Sequence, residues 1–154
     1  MSTLAWIIGL AIAAYVLWRL FAGESSGTRT VQTAGSVTGS GGFNCEVVGE
    51  SNYQHHLEQI AGGRSDESAR LSKQAILVLE DDNAHDKNAV CVFIDGLRVG
   101  YLSRDMAKSY RRRLKQQSLP IAHYRCDALI VGGWDRGGGD VGHFGVRLDL
   151  PIED

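Results

Sequence analysis

The stretch "EDDNAHDKNAVCVFIDGLRVGYLSRDMAKSYRRRLK" runs from Glu80 to Lys115, and its middle decides the fold. Two apolar runs, "AVCVFI" (89–94) and "LRVGYL" (97–102), flank Asp95-Gly96, a dipeptide suited to a tight two-residue turn. The stretch therefore predicts an antiparallel hairpin. Ser103 follows as a helix N-cap, and Asp105 falls in the first turn, where a carboxylate suits the helix dipole. The helix should run to about Gln117, with Pro120 blocking its continuation.

Outward from the hairpin, "FNCEVVG" (43–49) alternates as a first strand ending at Gly49. "YQHHLEQIAGG" (53–63) places Tyr53, Leu57 and Ile60 on one helical face, and its glycine pair stops the helix. "RSDESARLSK" (64–73) reads as a polar loop and "AILVLE" (75–80) as a short apolar strand. "YRCDALIVGG" (124–133) and "HFGVRLDL" (143–150) read as two more strands, joined by the glycine-rich "GGWDRGGGD" (132–140) as a flexible connection. Five or six short strands with two helices predict an α+β domain built on a small, curved or barrel-like sheet.

The N-terminus is a different material. Residues 4–22 form an apolar run broken only by Arg19, about 28 Å long as a helix and close to the thickness of a bilayer core. No Lys or Arg precedes it, as a cleaved signal peptide would require, and Trp6 and Trp18 suit the two interfaces. We expect one retained transmembrane helix at 4–22, a flexible Gly/Ser/Thr linker at 23–42 and a folded domain at 43–154. Arg19 and Arg29 follow the span, which predicts a single-pass membrane protein with its domain facing the cytoplasm. Three widely spaced cysteines, Cys45, Cys91 and Cys126, fit a reducing compartment better than a disulfide framework.

Formal net charge is −2, and residues 43–154 hold 14 Lys+Arg against 17 Asp+Glu, so the domain lacks the strong positive balance usual in nucleic-acid binders. Distribution matters more than the sum. On the helix after Ser103, Arg104, Lys108, Arg111, Arg112 and Lys115 share one side of the helical wheel, while Met106, Ala107, Tyr110 and Leu114 occupy another and face the core. Such a stripe could contact successive phosphates, dock on anionic lipid or an acidic protein, or simply be solvated.

The acidic turn lacks the alternating oxygen ligands, central Gly and terminal Glu of a calcium loop. Asn83 and Asp86 are better read as residues whose side chains bond the local backbone and fix the turn. No CxxC occurs for zinc, and His123 with Cys126 is the only closely spaced mixed pair, so no metal or cofactor is expected. Neither a nucleophile elbow, a Walker loop nor an H-E-x-x-H motif is present, and nothing requires an enzyme. Tyr53, Tyr101, Trp134 and Phe144 fall at strand ends or in loops, where a ring can stack on a base or cap the core.

"VVGESNYQ", "NAHDKNAVCVFIDGLRVGYLSRDMA" and "GHFGVRLDL" together resemble a HIRAN domain over residues 43–150. The resemblance implies an OB-like β-barrel with two helices and non-catalytic binding of single-stranded DNA, in some members at a free 3′ end. By position it implies that Tyr53 stacks on a base and that His85 and Asp86 meet the terminal nucleotide. Tyr101 and Arg104 would touch the backbone phosphate. Apart from the resemblance, the basic stripe offers Lys108 and Arg111 as further phosphate contacts along the helix. Ser51 and Asn52 stand where the end-binding pattern has an Arg and a second aromatic, and His85 replaces a Tyr. Helicase or ATPase activity found in larger family members would need a motor domain that these residues do not encode. The alternative is a module that binds a protein or anionic lipid and no nucleic acid.

Overall fold

The computed structural model describes residues 31–151. The span expected at 4–22 and residues 23–30 of the expected linker lie outside them. Among the described residues no helix is long and apolar enough to cross a membrane.

The strands are β1 (Gly35–Ser36), β2 (Cys45–Val48), β3 (Ala69–Leu79), β4 (Val90–Ile94), β5 (Leu97–Leu102), β6 (Tyr124–Gly132) and β7 (Phe144–Asp149). A 3₁₀ turn, Glu50–Tyr53, leads into α1 (Gln54–Ala61), and α2 (Arg104–Gln116) lies between β5 and β6. Six strands pair in the order β6-β3-β4-β5-β2-β7, and β7 returns to β6, so the sheet closes into an antiparallel barrel. This is the small OB-like barrel with two helices that the sequence suggested, with one strand more. Closure pairs β6 with β7 over Asp127–Gly132 and leaves Tyr124 and Arg125, at the start of β6, as a short edge.

Period-two alternation fills the barrel. Cys45 and Val47, Ala75 and Leu77, Val92 and Ile94, and Phe144, Val146 and Leu148 are buried in one core, with Tyr124, Cys126, Ala128 and Ile130 from β6. Leu57 of α1 and Ala107, Tyr110 and Leu114 of α2 complete it. Each large aliphatic side chain so buried contributes roughly 1.5–3 kcal/mol. Ser103 caps α2 by accepting from the Met106 N–H at 3.3 Å. Gly62 and Gly63 end α1 by donating to the carbonyls of Gln59 and Glu58 at 3.2 and 2.9 Å.

The hairpin turn at Asp95-Gly96 has φ of 50° and 80°, the pair of left-handed residues that the dipeptide predicts. Beyond it the register slips. Phe93 pairs with Arg98 but Val92 pairs with Gly100, leaving Val99 as a bulge. Gly100 is required there, because a Cβ would come within 2.5 Å of Val47 Cγ1 and 2.6 Å of the Val48 carbonyl oxygen.

Two expectations are corrected. Ala69–Lys73, read as part of a polar loop, forms the first half of β3 and pairs with β6. Gly35 and Ser36, placed within the flexible linker, add in parallel to the edge of β6 beside Tyr124 and Arg125. That attachment is reinforced by Ala34 N–H on the His123 carbonyl and Val37 N–H on the Arg125 carbonyl, both at 2.8 Å. Farther along, Gly41 N–H donates to the buried Asp149 carboxylate at 2.8 Å.

Candidate functional site

The acidic turn joins β3 to β4 and is wound by its own side chains. Asn83 Oδ1 accepts from the N–H groups of His85 and Asp86 at 2.9 and 3.2 Å. Asp86 Oδ1 accepts from Asn88 N–H at 2.8 Å, and Asn83 Nδ2 donates to Glu80 Oε2 at 2.8 Å. The reading of Asn83 and Asp86 as turn-fixing residues therefore holds. The turn leaves His85 exposed and holds Asp86 half-buried, with Oδ2 making no hydrogen bond among the described residues.

Against this turn lies a cleft of about 290 Å³, lined by Val48, His85, Asp86, Tyr101, Leu102 and Arg104 among others. Its walls come from β2, the acidic turn, the end of β5 and the first residue of α2. Four of the expected site residues, His85, Asp86, Tyr101 and Arg104, meet here.

The other three lie elsewhere. Tyr53 ends the 3₁₀ turn outside the cleft, its ring 5.9 Å from that of His56 and nearly parallel to it. Lys108 is exposed one turn beyond Arg104, 3.9 Å from Asp105 in a solvent-facing pair. Arg111, expected on the phosphate stripe, is turned inward with only 13% of its side chain exposed. Its Nη1 pairs with Asp81 at 2.6 Å, while Nε and Nη2 donate to the carbonyls of Asn88 and Ala89 at 2.9 and 3.1 Å. On the helical wheel Arg111 stands nearest to buried Ala107, so it borders the core and clamps the acidic turn to α2. The exposed stripe is Arg104, Lys108, Arg112 and Lys115.

Arg98 is the neighbour that sequence reasoning missed. Its guanidinium lies 5.6 Å from the Phe93 ring centre and 5.5 Å from that of Tyr101, and pairs with Glu80 at 3.0 Å. Through Tyr101, which lines the cleft, Arg98 stands directly behind its wall. Strict alternation would send residues 98 and 101 to opposite faces of β5. The Val99 bulge returns them to one face, and Gly100 was the signal that could have exposed it. Below them Cys91 is fully buried, its thiol against Arg98 and Tyr101. Burial pushes the thiol up to about 12, only partly offset by the Arg98 charge. Burial and the neighbouring Cys91 push the Tyr101 phenol up to about 12 as well, so it is neutral at physiological pH and able to donate a hydrogen bond.

The remaining aromatics serve structure. Phe144 is buried in the core. Trp134 Nε1 donates to Asp140 at 3.0 Å and Arg136 lies 5.3 Å over its ring, so the glycine-rich connection is ordered rather than loose. The same Trp134 hydrogen bond is the chief cause of the Asp140 carboxyl titrating below its usual range. Among the described residues no group of three or more His, Cys, Asp or Glu side chains is placed to hold a metal ion.

A closed small barrel with rings, a carboxylate and an arginine around one outer cleft defines a ligand-binding module with an OB-like fold. Residues 40–128 match the HIRAN domain family, and the chain belongs to that family. HIRAN domains are nucleic-acid-binding modules, not catalytic ones. No curated protein and no solved structure matches the chain.

Proposed function

We propose that this HIRAN domain seats the 3′-terminal nucleotide of a single-stranded nucleic acid, DNA foremost, in the cleft beside Asp86, without catalysing a reaction. The observation that supports this reading is the convergence of His85, Asp86, Tyr101 and Arg104 on one cleft from separate elements. A base stacked on His85 or Tyr101 contributes on the order of 1–3 kcal/mol whatever its identity. Arg104 supplies the cation for the adjoining phosphate, and Lys108 a second one a turn away. The carboxylate of Asp86 favours an end over an internal position. It accepts a hydrogen bond from a terminal sugar hydroxyl but repels a phosphodiester. Tyr53 offers a further ring outside the cleft.

The apolar run at 4–22 is proposed as the membrane anchor, with the domain on the cytoplasmic side. Retention of the full-length chain in membranes after carbonate washing supports that assignment; release would remove it.

The seat is tested by fluorescence anisotropy on the full-length protein, using 5′-labelled oligothymidylates ending in a 3′-hydroxyl or a 3′-phosphate. The hydroxyl end should bind roughly tenfold or more tightly, as expected from a charge-assisted hydrogen bond exchanged for repulsion. Asp86→Asn should erase that preference, and Arg104→Glu should weaken both oligonucleotides. Equal binding of the two ends by the wild-type protein rejects the terminal seat.

A further inference from the structure

We propose that the strand does not stop at the cleft beside Asp86 but crosses Val48 into a second cleft, where the next nucleotide lies against Val48, Phe43 and Met106 beside Arg147. This inference rests on the proposed seat and deepens it. The second cleft, about 470 Å³, is lined by Phe43, Asn44, Val48, Ser103, Met106 and Arg147 among others. The two clefts are contiguous: Val48 lines both, and Ser103 lines the second while its chain neighbours Leu102 and Arg104 line the first. Val48 points outward from β2 and is 42% exposed, one of three large apolar side chains so exposed among the described residues. It forms a saddle between the clefts.

The chemistry along this path fits an oligonucleotide. Val48, Phe43 and Met106 present apolar surface to a base, and the Asn44 amide offers a donor and an acceptor to a base edge. A cation stands on each side of the saddle, Arg104 in the first cleft and Arg147 in the second, as successive phosphates require. Arg147 is half-exposed and pairs at 3.6 Å with Glu46, an exposed carboxylate that lines the same cleft. An exposed pair of that kind is weak, so the guanidinium can exchange it for a phosphate at little cost. The stripe on α2 offers no such path beyond Lys108, because Arg111 is engaged with Asp81 and neither Arg112 nor Lys115 lines either cleft.

The experiment measures binding of the full-length protein to 5′-phosphorylated thymidylates of one, two, three and six nucleotides with free 3′ ends, by competition against a labelled probe. Affinity should rise roughly tenfold between the mononucleotide and the dinucleotide, the worth of one further stacked and neutralised nucleotide. Arg147→Ala and Phe43→Ala, at positions that line the second cleft and not the first, should each lose most of that rise while keeping wild-type mononucleotide affinity, and Arg147→Lys should lose less of it than Arg147→Ala. Thermal melting identifies any variant that fails to fold, and the other then decides. A rise that persists in folded variants overturns the proposal, as does a wild-type protein that binds the mononucleotide with no gain from a second nucleotide. If the wild-type protein binds none of these oligonucleotides, the terminal seat itself is refuted and the extension with it.

Discussion

Arg111 spends its charge on the fold. Its three bonds hold both ends of the acidic turn, Asp81 where the chain leaves β3 and Asn88 and Ala89 where it enters β4. Replacing it with Ala takes the donor from the Asn88 carbonyl, leaves the Ala89 carbonyl with the Glu80 N–H alone and frees the exposed Asp81 carboxylate, which together costs about 2 kcal/mol. The thermal midpoint should fall by roughly ten degrees or more, whereas Lys115→Ala on the exposed stripe should leave it nearly unchanged. A binding defect in Arg111→Ala would arrive through a loosened Asp86, not a lost phosphate contact. Glu50 makes a different residue-scale prediction. Desolvation is the main cause holding its carboxyl above the usual glutamate range, although its Oε1 accepts from Val146 N–H at 3.3 Å. The folded state therefore binds this proton more tightly than the unfolded chain does. Stability tied to the group is greatest below the unfolded value and is lost as pH rises through the window between the unfolded and folded values. Glu50→Gln keeps the acceptor and removes the titration, so its melting midpoint should vary less than wild type across pH 4–6. An identical pH profile would show that the side chain is more solvated than its surroundings suggest.

Among the elements, those with a local chemical signature were legible and those made by backbone alone were not. Asp95-Gly96 announced the β4–β5 hairpin, and Ser103 and the core-facing positions of α2 announced that helix. The first half of β3 carries alternation at Ala69, Leu71, Lys73 and Ala75, but small and charged residues blur it into apparent loop. β1 has no side-chain pattern at all: Gly35 and Ser36 are recruited by main-chain hydrogen bonds to β6. For the candidate site, resemblance named His85, Asp86, Tyr101 and Arg104, whereas spacing alone gave a stripe without a cleft. The engagement of Arg111 was not legible because a helical wheel ranks positions by face but does not show which neighbouring turn will capture a side chain at the border of the core. Arg98 was missed because a bulge changes the parity of a strand. The bulge makes its own prediction. Gly100→Ala forces a Cβ onto Val47 and the Val48 backbone, so it should cost on the order of 3 kcal/mol and disturb the saddle as well. A variant as stable as wild type would show that β2 can shift to accommodate a methyl.

At the scale of the whole molecule, a closed barrel with a domain charge of −3 sets the terms of binding. Indiscriminate attraction to polyanions is disfavoured, and affinity has to come from a few placed cations. With about two phosphates neutralised on single-stranded DNA, the logarithm of affinity should fall with the logarithm of salt at a slope near −1.4. A much steeper slope would mean that the whole α2 stripe takes part. The sealed thiol of Cys91 offers a view of the same surface in time. It sits under Arg98 and Tyr101, whereas Cys126 lies inside the barrel, so an alkylating reagent can reach the first by a local lifting of two side chains but the second only when the barrel parts. The rate ratio of the two reactions then acts as an internal clock, separating breathing of the outer wall from global rupture. An oligonucleotide stacked on Tyr101 should slow the Cys91 hand of that clock first.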